Sequence, residues 1–261
     1  MPEITRVPEK EWPTRPPTAM FADLPQSFWD TRPHLWDPAG GRLVSRTHTW
    51  VVRVNGLVVL VDTGIGDGKD RPGIPAFHRL DTGFPARLAE AGVEAGDVDV
   101  VVNTHLHADH VGWNTTLAGG EWVPTFPRAT YLFPAADYEH FRGDPVLADS
   151  IQPVIDAGQA VLWRDGHRIA DDLVLEPAPG HTPGSSVLKL REDAVFVGDL
   201  LHNPAQALEP DSNSMFCLDA TEARSARRRV LGWAADHGAL VLPAHFEGGP
   251  VVQEGAGFAF A

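Results

Sequence analysis

Hydrophobic residues first fall into a regular pattern at THTWVVRV (47–54) and LVVLVD (57–62), two β-branched runs separated by Asn55-Gly56. That dipeptide favours the left-handed backbone of a tight turn, so the pattern predicts a β-hairpin ending in Asp62-Thr63-Gly64. A Gly- and Pro-rich loop follows, then FPARLAEAG (84–92), whose helix formers and closing glycine predict a short helix. VDVVVNT (98–104) is apolar almost without alternation, as a strand buried on both faces requires. Similar runs predict strands at ATYLF (129–133), AVLWR (160–164), LVLEP (173–177), SVLKL (186–190), AVFVG (194–198) and ALVLPA (239–244). Helices are predicted at 135–141, at 145–158 with Pro153 inside, and at 220–238, where Gly238 supplies the stop. Residues 1–47 are rich in Pro, Trp and Asp and show no sustained period. They read as an N-terminal arm or lid with one short helix near Pro25–Asp30, ahead of a single domain over 48–261. Strands dominate, helices intervene and the order recurs, which predicts an α/β fold: an αββα sandwich of two mixed β-sheets with outer helices.

Candidate chemistry concentrates where the strands end. His105, His107, Asp109 and His110 follow VDVVVNT within six residues. On extended backbone His105 and His107 share a face, while Asp109 and His110 enter the next turn and can reach a neighbouring point, so the group can serve two metals. His181 after LVLEP, Asp199 after AVFVG and His245 after ALVLPA open loops in the same way. Neighbouring strands would bring them to one edge, where sites on β scaffolds commonly sit. Imidazole and carboxylate ligands without thiolate suit zinc, with manganese, cobalt and iron compatible. Asp62 ends a strand without a histidine neighbour and is expected to hydrogen-bond rather than to ligate. His202, three residues after Asp199, is a candidate for proton transfer or substrate binding at the pocket rim. Trp113, Trp122, Phe126, Met215, Phe216 and Phe246 are candidates for an apolar pocket wall. Arg227-Arg228-Arg229 reads as a solvated helix face, because neighbouring helical residues point in different directions.

Composition sharpens this picture. There are 12 histidines against 2 tyrosines, a surplus that a metal site would explain. With 21 Lys plus Arg against 35 Asp plus Glu, the net charge of -14 excludes nucleic acid and anionic membranes as partners, since both need clustered cations. Cys217 is the one cysteine, which rules out an internal disulfide or a Cys-rich metal site and is compatible with a reducing compartment. The N-terminus lacks the apolar core of a signal peptide, and no run reaches the ~18 apolar residues of a membrane span. The cytoplasm is the expected address.

VDTG, THLHADHVG, GHTPG, GD and the final AHF, in this order over roughly residues 47–250, resemble the metallo-β-lactamase superfamily. The resemblance implies the αββα fold and a dinuclear site, with His105, His107 and His181 on one metal, Asp109, His110 and His245 on the other, and Asp199 bridging. It also narrows the chemistry. True β-lactamases of this fold usually lack the bridging aspartate, and the flavodiiron-type branch carries Glu where this chain has His107. The chain runs only to Ala261 after His245, too short for the helical domain of glyoxalase-type thioesterases. The acidic charge disfavours the RNA-processing branch. Acyl-homoserine lactonases resemble the metal pattern but place a tyrosine between the last two ligands, whereas Tyr131 and Tyr138 both precede that interval. Organophosphate hydrolases of the methyl parathion type resemble the layout of GDLLHNPAQ, DSNSMF, AHFEGG and EGAGFAF.

The expected function is therefore that of a dinuclear metallohydrolase holding two divalent ions, zinc first among them. A hydroxide between the metals would attack a small ester, lactone or phosphotriester, and Asp109 and His202 are the catalytic candidates. A neutral or hydrophobic small molecule is the expected partner, and a homodimer is the assembly left open. The alternatives are a metal-dependent binding protein without turnover, or a β-lactam or thioester hydrolase.

Overall fold

The computed structural model describes residues 2–261. The chain divides into two compact units, one made of the segment up to Lys10 with Thr47–Arg164, the other of Glu11–Arg46 with Asp165–Ala261.

The first unit is built on a six-stranded mixed sheet. Its strands, in spatial order, are β1 (Glu3–Pro13), β2 (Val44–Val54), β3 (Leu57–Val61), β4 (Val100–Val102) and, after a separate hairpin β5 (Thr115–Ala118) and β6 (Glu121–Pro124), β7 (Thr130–Pro134) and β8 (Ala160–Trp163). Asn55 and Gly56 take φ values of 53° and 80°, the left-handed pair that a tight hairpin turn needs, and β2 and β3 pair antiparallel from Trp50–Val61 to Val54–Leu57. From β3 through β4 and β7 to β8 the pairing is parallel, so the carboxyl ends of these strands lie along one edge. Val51, Leu60, Val101, Leu106, Tyr131 and Phe133 are fully buried in the core beside this sheet.

Two expectations change here. The segment before residue 47 contains an eleven-residue strand, β1, in which Val7 and Glu9 share the buried face. A buried Glu at an apolar phase hid that alternation. The helix expected over 145–158 is two helices, Pro145–Ser150 and Gln152–Asp156, interrupted at Ile151. Pro153 has no N–H for Asp149, and its ring crowds that carbonyl, so the helix restarts with Pro153 in its first turn, where proline is tolerated.

Lys69, in the Gly-rich loop after β3, is fully buried. Its ammonium lies 3.6 Å over the Trp122 ring, and it donates to Thr115 Oγ1 at 2.6 Å and to the Asp149 carbonyl at 3.0 Å. Arg71 grips the Asp149 carboxylate with two bonds of 2.6 and 2.7 Å. Burial pushes the Lys69 ammonium down to about 7, against the attraction of Asp149 and with the repulsion of Arg71 behind it.

The second unit holds a seven-stranded sheet whose strands follow the chain in space: β9 (His167–Ala170), β10 (Leu173–Pro177), β11 (Ser186–Leu190), β12 (Ala194–Gly198), β13 (Leu240–Pro243), β14 (Gly249–Glu254) and β15 (Gly257–Phe260). All pairings are antiparallel except β12 with β13. Helix Ala220–His237 begins with Asp219 accepting from Thr221 N and Glu222 N and ends at Gly238 in the left-handed conformation. Its Ala226, Val230, Leu231 and Ala234 join Val195, Val197 and Val241 in one core. Arg227 departs from the solvated face expected of it. It is fully buried and donates to the carbonyls of Leu200, Pro210 and Ser212, while Arg228 and Arg229 stay half-exposed. Residues 17–43 form a smaller core with Ala205, in which Phe21 stacks on Trp29 at 5.7 Å. Helix Gln26–Asp30 lies where the sequence places it. No helix among the described residues is long and apolar enough to cross a membrane.

Two predictions follow from close packing and from the buried charge. Gly112 lies against the Ile65 carbonyl, and a Cβ there would overlap it, whereas Gly73 faces open space. Gly112→Ala should cost about 3 kcal/mol or more in urea unfolding while Gly73→Ala stays within about 0.5 kcal/mol. The unfolded chain binds the Lys69 proton up to about 10.5 and the folded one only to about 7, so this residue's contribution to stability rises with pH through that window. Urea melts should show the wild-type protein gaining stability relative to Lys69→Met between about pH 7 and pH 10; an unchanging difference would mean Lys69 stays charged.

Candidate metal centre

Parallel pairing explains where the first group of candidate ligands sits. Asp62 follows β3, Thr104-His105 follow β4 and Asp137 follows β7, all at the same carboxyl edge. Asp62 takes φ 54° and accepts Thr104 N at 2.8 Å, Thr104 Oγ1 at 2.8 Å and His110 Nδ1 at 2.8 Å. Asp137 accepts Leu106 N at 3.0 Å, and Asn103 Nδ2 donates to the His110 carbonyl at 2.7 Å. The His105–His110 loop is thus held by three buried side chains from its own sheet edge. Within it, His105 Nε2 lies 3.0 Å from His107 Nδ1, and the His105 and His110 rings are 3.9 Å apart at their centroids. Asp109 Oδ1 is 3.9 Å from His110 Nε2. Because His110 uses Nδ1 to meet Asp62, its Nε2 is the nitrogen left for a cation, the usual division of labour in a ligating imidazole.

The second group arises from strand direction in the other sheet. β10 and β12 both run antiparallel to β11, and β13 runs parallel to β12, so the carboxyl ends of β10, β12 and β13 share an edge. His181, Asp199 and His245 leave those ends. Asp199 is 6% exposed and has three imidazoles around it: His181 Nε2 at 3.4 Å, His202 Nε2 at 3.3 Å and His245 Nε2 at 3.0 Å. His245 Nδ1 donates to the Arg46 carbonyl at 2.8 Å, which turns its Nε2 toward Asp199. His202 lies inside this group rather than at a rim, with Ser214 Oγ 3.5 Å from its Nε2.

These donors fit a divalent cation. Two ligands on one tetrahedral ion, each at about 2.0–2.1 Å, are roughly 3.3 Å apart. His105 with His107, and Asp199 with His181 and His245, match that spacing. Burying such nitrogen and carboxylate lone pairs edge to edge is repulsive without a proton or a metal between them.

The residues expected to line a pocket divide. Trp113, Phe126 and Phe246 are core residues, and Trp122 lies beneath the Lys69 ammonium. Met215 and Phe216 are 52% and 44% exposed, and the Phe216 ring is 6.1 Å from His202. Leu218, which the sequence did not single out, is 58% exposed and its N–H donates to the His181 carbonyl at 3.2 Å. Sequence reasoning also missed Glu9, Thr104 and Asp137. Only Glu9 left a trace, as a charged residue in phase with Val7.

Comparison with known proteins bears on the family and the fold. The uncharacterized protein YobT of Bacillus subtilis (strain 168) is 36% identical over 109 residues, which are 38% of this chain and 44% of that protein, so the match spans less than half of YobT. Among solved structures, a hydrolase of the β-lactamase superfamily, AbOPH, superposes with a TM-score of 0.82 at 20% identity, over 99% of this chain and 93% of the other. The dizinc quorum-quenching lactonase AidC, solved with a product, gives 0.78 at 18% identity over 100% and 94%. A probable metal-dependent hydrolase from Staphylococcus aureus gives 0.78 at 17% identity over 94% and 89%. At these identities the likeness shows the fold, the α/β class with mixed sheets that the sequence predicts. The family model described as the metallo-beta-lactamase superfamily matches residues 43–245, and the chain belongs to that superfamily.

Proposed function

We propose that the chain is a dinuclear metal-dependent hydrolase of small esters, lactones or phosphotriesters. In this reading His105, His107 and His181 would hold one ion and Asp109, His110 and His245 the other, with Asp199 shared between them and zinc the first candidate. The observation that carries the reading is the buried Asp199 carboxylate in contact with three imidazole Nε2 atoms. Membership of the superfamily and the fold shared with a dizinc lactonase support it.

Bound divalent ions supply Lewis acidity and bring the pKa of a coordinated water to about 7. The chain's own groups do the rest. Asp62 and the Arg46 carbonyl fix the tautomers of His110 and His245, so that each presents Nε2. In hydrolysis the water oxygen bonds to the acyl carbon or phosphorus while the bond to the leaving oxygen breaks. Asp109, whose side chain is 15% exposed, is the carboxylate placed to pass a proton to that oxygen. His202 Nε2, beside Asp199 and Ser214, orients the substrate's polar group.

Met215, Phe216 and Leu218 support a neutral or hydrophobic substrate. They expose apolar surface on a segment hydrogen-bonded to the His181 loop, a short path from the reacting group to an acyl chain.

Metal analysis and a panel of esters, lactones and phosphotriesters test the function. Hydrolysis should disappear on complete chelation, return with zinc or cobalt, and favour longer apolar acyl groups. Activity that survives metal removal would refute the metallohydrolase reading, and tight binding without turnover across the panel would favour a binding protein. Asp199→Ala should lose at least one equivalent of metal and about a hundredfold or more in rate; unchanged metal content and rate would remove Asp199 from the centre.

A further inference from the structure

Glu9 is a carboxylate that the proposed reaction does not use, yet it is among the most heavily hydrogen-bonded side chains in the first unit. It sits on β1 at the same phase as Val7 and is 8% exposed. Oε2 accepts from Ile65 N at 2.6 Å and from Thr47 Oγ1 at 3.0 Å. Oε1 accepts from Trp113 Nε1 at 2.7 Å and from Gly66 N at 3.0 Å. Burial pushes this carboxyl up, and the four donors, all of them neutral, pull it back toward the charged form. The strand around it is anchored as well, because Arg87 donates to the Pro8 and Glu9 carbonyls at 2.7 and 3.0 Å.

The donors that Glu9 gathers belong to two segments that meet at the metal-binding motif. Ile65 and Gly66 close the turn that starts at Asp62, and Trp113 ends the run that contains His105–His110. The same two segments are joined by backbone bonds: Thr63 N to His110 O at 2.7 Å, Gly112 N to Gly64 O at 2.8 Å and Trp113 N to Thr63 O at 3.0 Å. Gly112 and Ile65 are in backbone contact, so no side chain can be inserted to do this joining. Glu9 spans the junction from outside, with one oxygen on Ile65 and Thr47 and the other on Gly66 and Trp113.

We infer that Glu9 is a positioning residue for the metal centre, locking the Asp62–Gly66 turn onto the His105–Trp113 segment so that Asp62 keeps His110 Nδ1 and leaves Nε2 for the ion. The inference rests on the metallohydrolase reading. A carboxylate is required because each oxygen serves two donors. A glutamine has one carbonyl oxygen, and its NH₂ would face two donors of its own kind, leaving buried N–H groups unmet at about 1–3 kcal/mol each.

The test is cobalt(II) titration of the metal-free protein, followed by visible absorption, with folding measured separately by far-ultraviolet circular dichroism and urea unfolding. Glu9→Gln should fold but bind one of its two cobalt equivalents about tenfold or more weakly, with a changed d–d band for that equivalent, as loss of a group behind a ligand generally does. Thr47→Val, which removes one donor and leaves the carboxylate in place, should shift the same equivalent less. Should Glu9→Gln fail to fold, Thr47→Val and Trp113→Phe decide the question, each being expected to weaken that equivalent while the other is unchanged. Cobalt affinity and spectrum equal to wild type in the folded variants, with or without lower stability, would overturn the inference and leave the metallohydrolase reading intact. A wild-type protein that takes up no cobalt would overturn both.

Discussion

Moving a carboxylate from water into a protein interior costs several kcal/mol even after relaxation, and neutral imidazoles alone do not repay it. Asp199 is nonetheless buried, at the end of an apolar strand, with three imidazole nitrogens within 3.4 Å. The arrangement makes physical sense when positive charge joins it, either protons on the imidazoles or divalent ions. Much of the surrounding architecture acts to keep these lone pairs crowded. The Arg46 carbonyl and Asp62 each occupy one nitrogen of a histidine so that the other is presented, and Arg227 ties together three carbonyls of the loop that runs on from Asp199. Where a fold invests so many hydrogen bonds in holding unfavourable neighbours together, the compensating charge is part of the design.

Strand direction is the means by which distant residues are gathered. In the second sheet the candidate ligands leave the carboxyl ends of strands that run the same way, so a few apolar runs suffice to place side chains far apart in sequence on a common edge. The same rule accounts for the supporting groups. Asp62 and Asp137 come from the strands on either side of β4, and each takes a backbone N–H of the loop that β4 launches. Loops so braced hold their side chains in place before any ligand arrives, which is what chemistry at a fixed centre demands.

The parts legible in the sequence were those written in local patterns. Asn55-Gly56 marked the hairpin, SVLKL and AVFVG matched their strands residue for residue, and the run from Ala220 with its stop at Gly238 marked the last helix. The clustering of His105, His107, Asp109 and His110 was visible because all four lie on one loop. What stayed hidden depended on long-range contact. β1 carries a buried charge that breaks its alternation, Arg227 looks like its two exposed neighbours, and Pro153 was judged compatible with one helix where its missing N–H makes two. The aromatic residues failed for a related reason. Trp113 and Phe246 stand next to site motifs in sequence, but adjacency along a chain does not tell which face a side chain takes when a loop turns, and the larger core claimed them together with Phe126. Leu218 went the other way: it is exposed, and its N–H donates to the His181 carbonyl.

His110 and His245 are oriented by partners of different kinds. One answers to a side chain, Asp62, and the other to the main-chain carbonyl of Arg46. Substitution at position 62 can change charge, length or hydrogen-bonding character, whereas every amino acid placed at position 46 brings the same carbonyl. The two histidines therefore differ in evolvability. Genetic drift and selection can retune the basicity of His110 through a single codon, while the carbonyl that orients His245 is shielded from point mutation and moves only if the backbone moves. Divergence of activity among descendants of this sequence should be recorded at the aspartate and silent at the arginine.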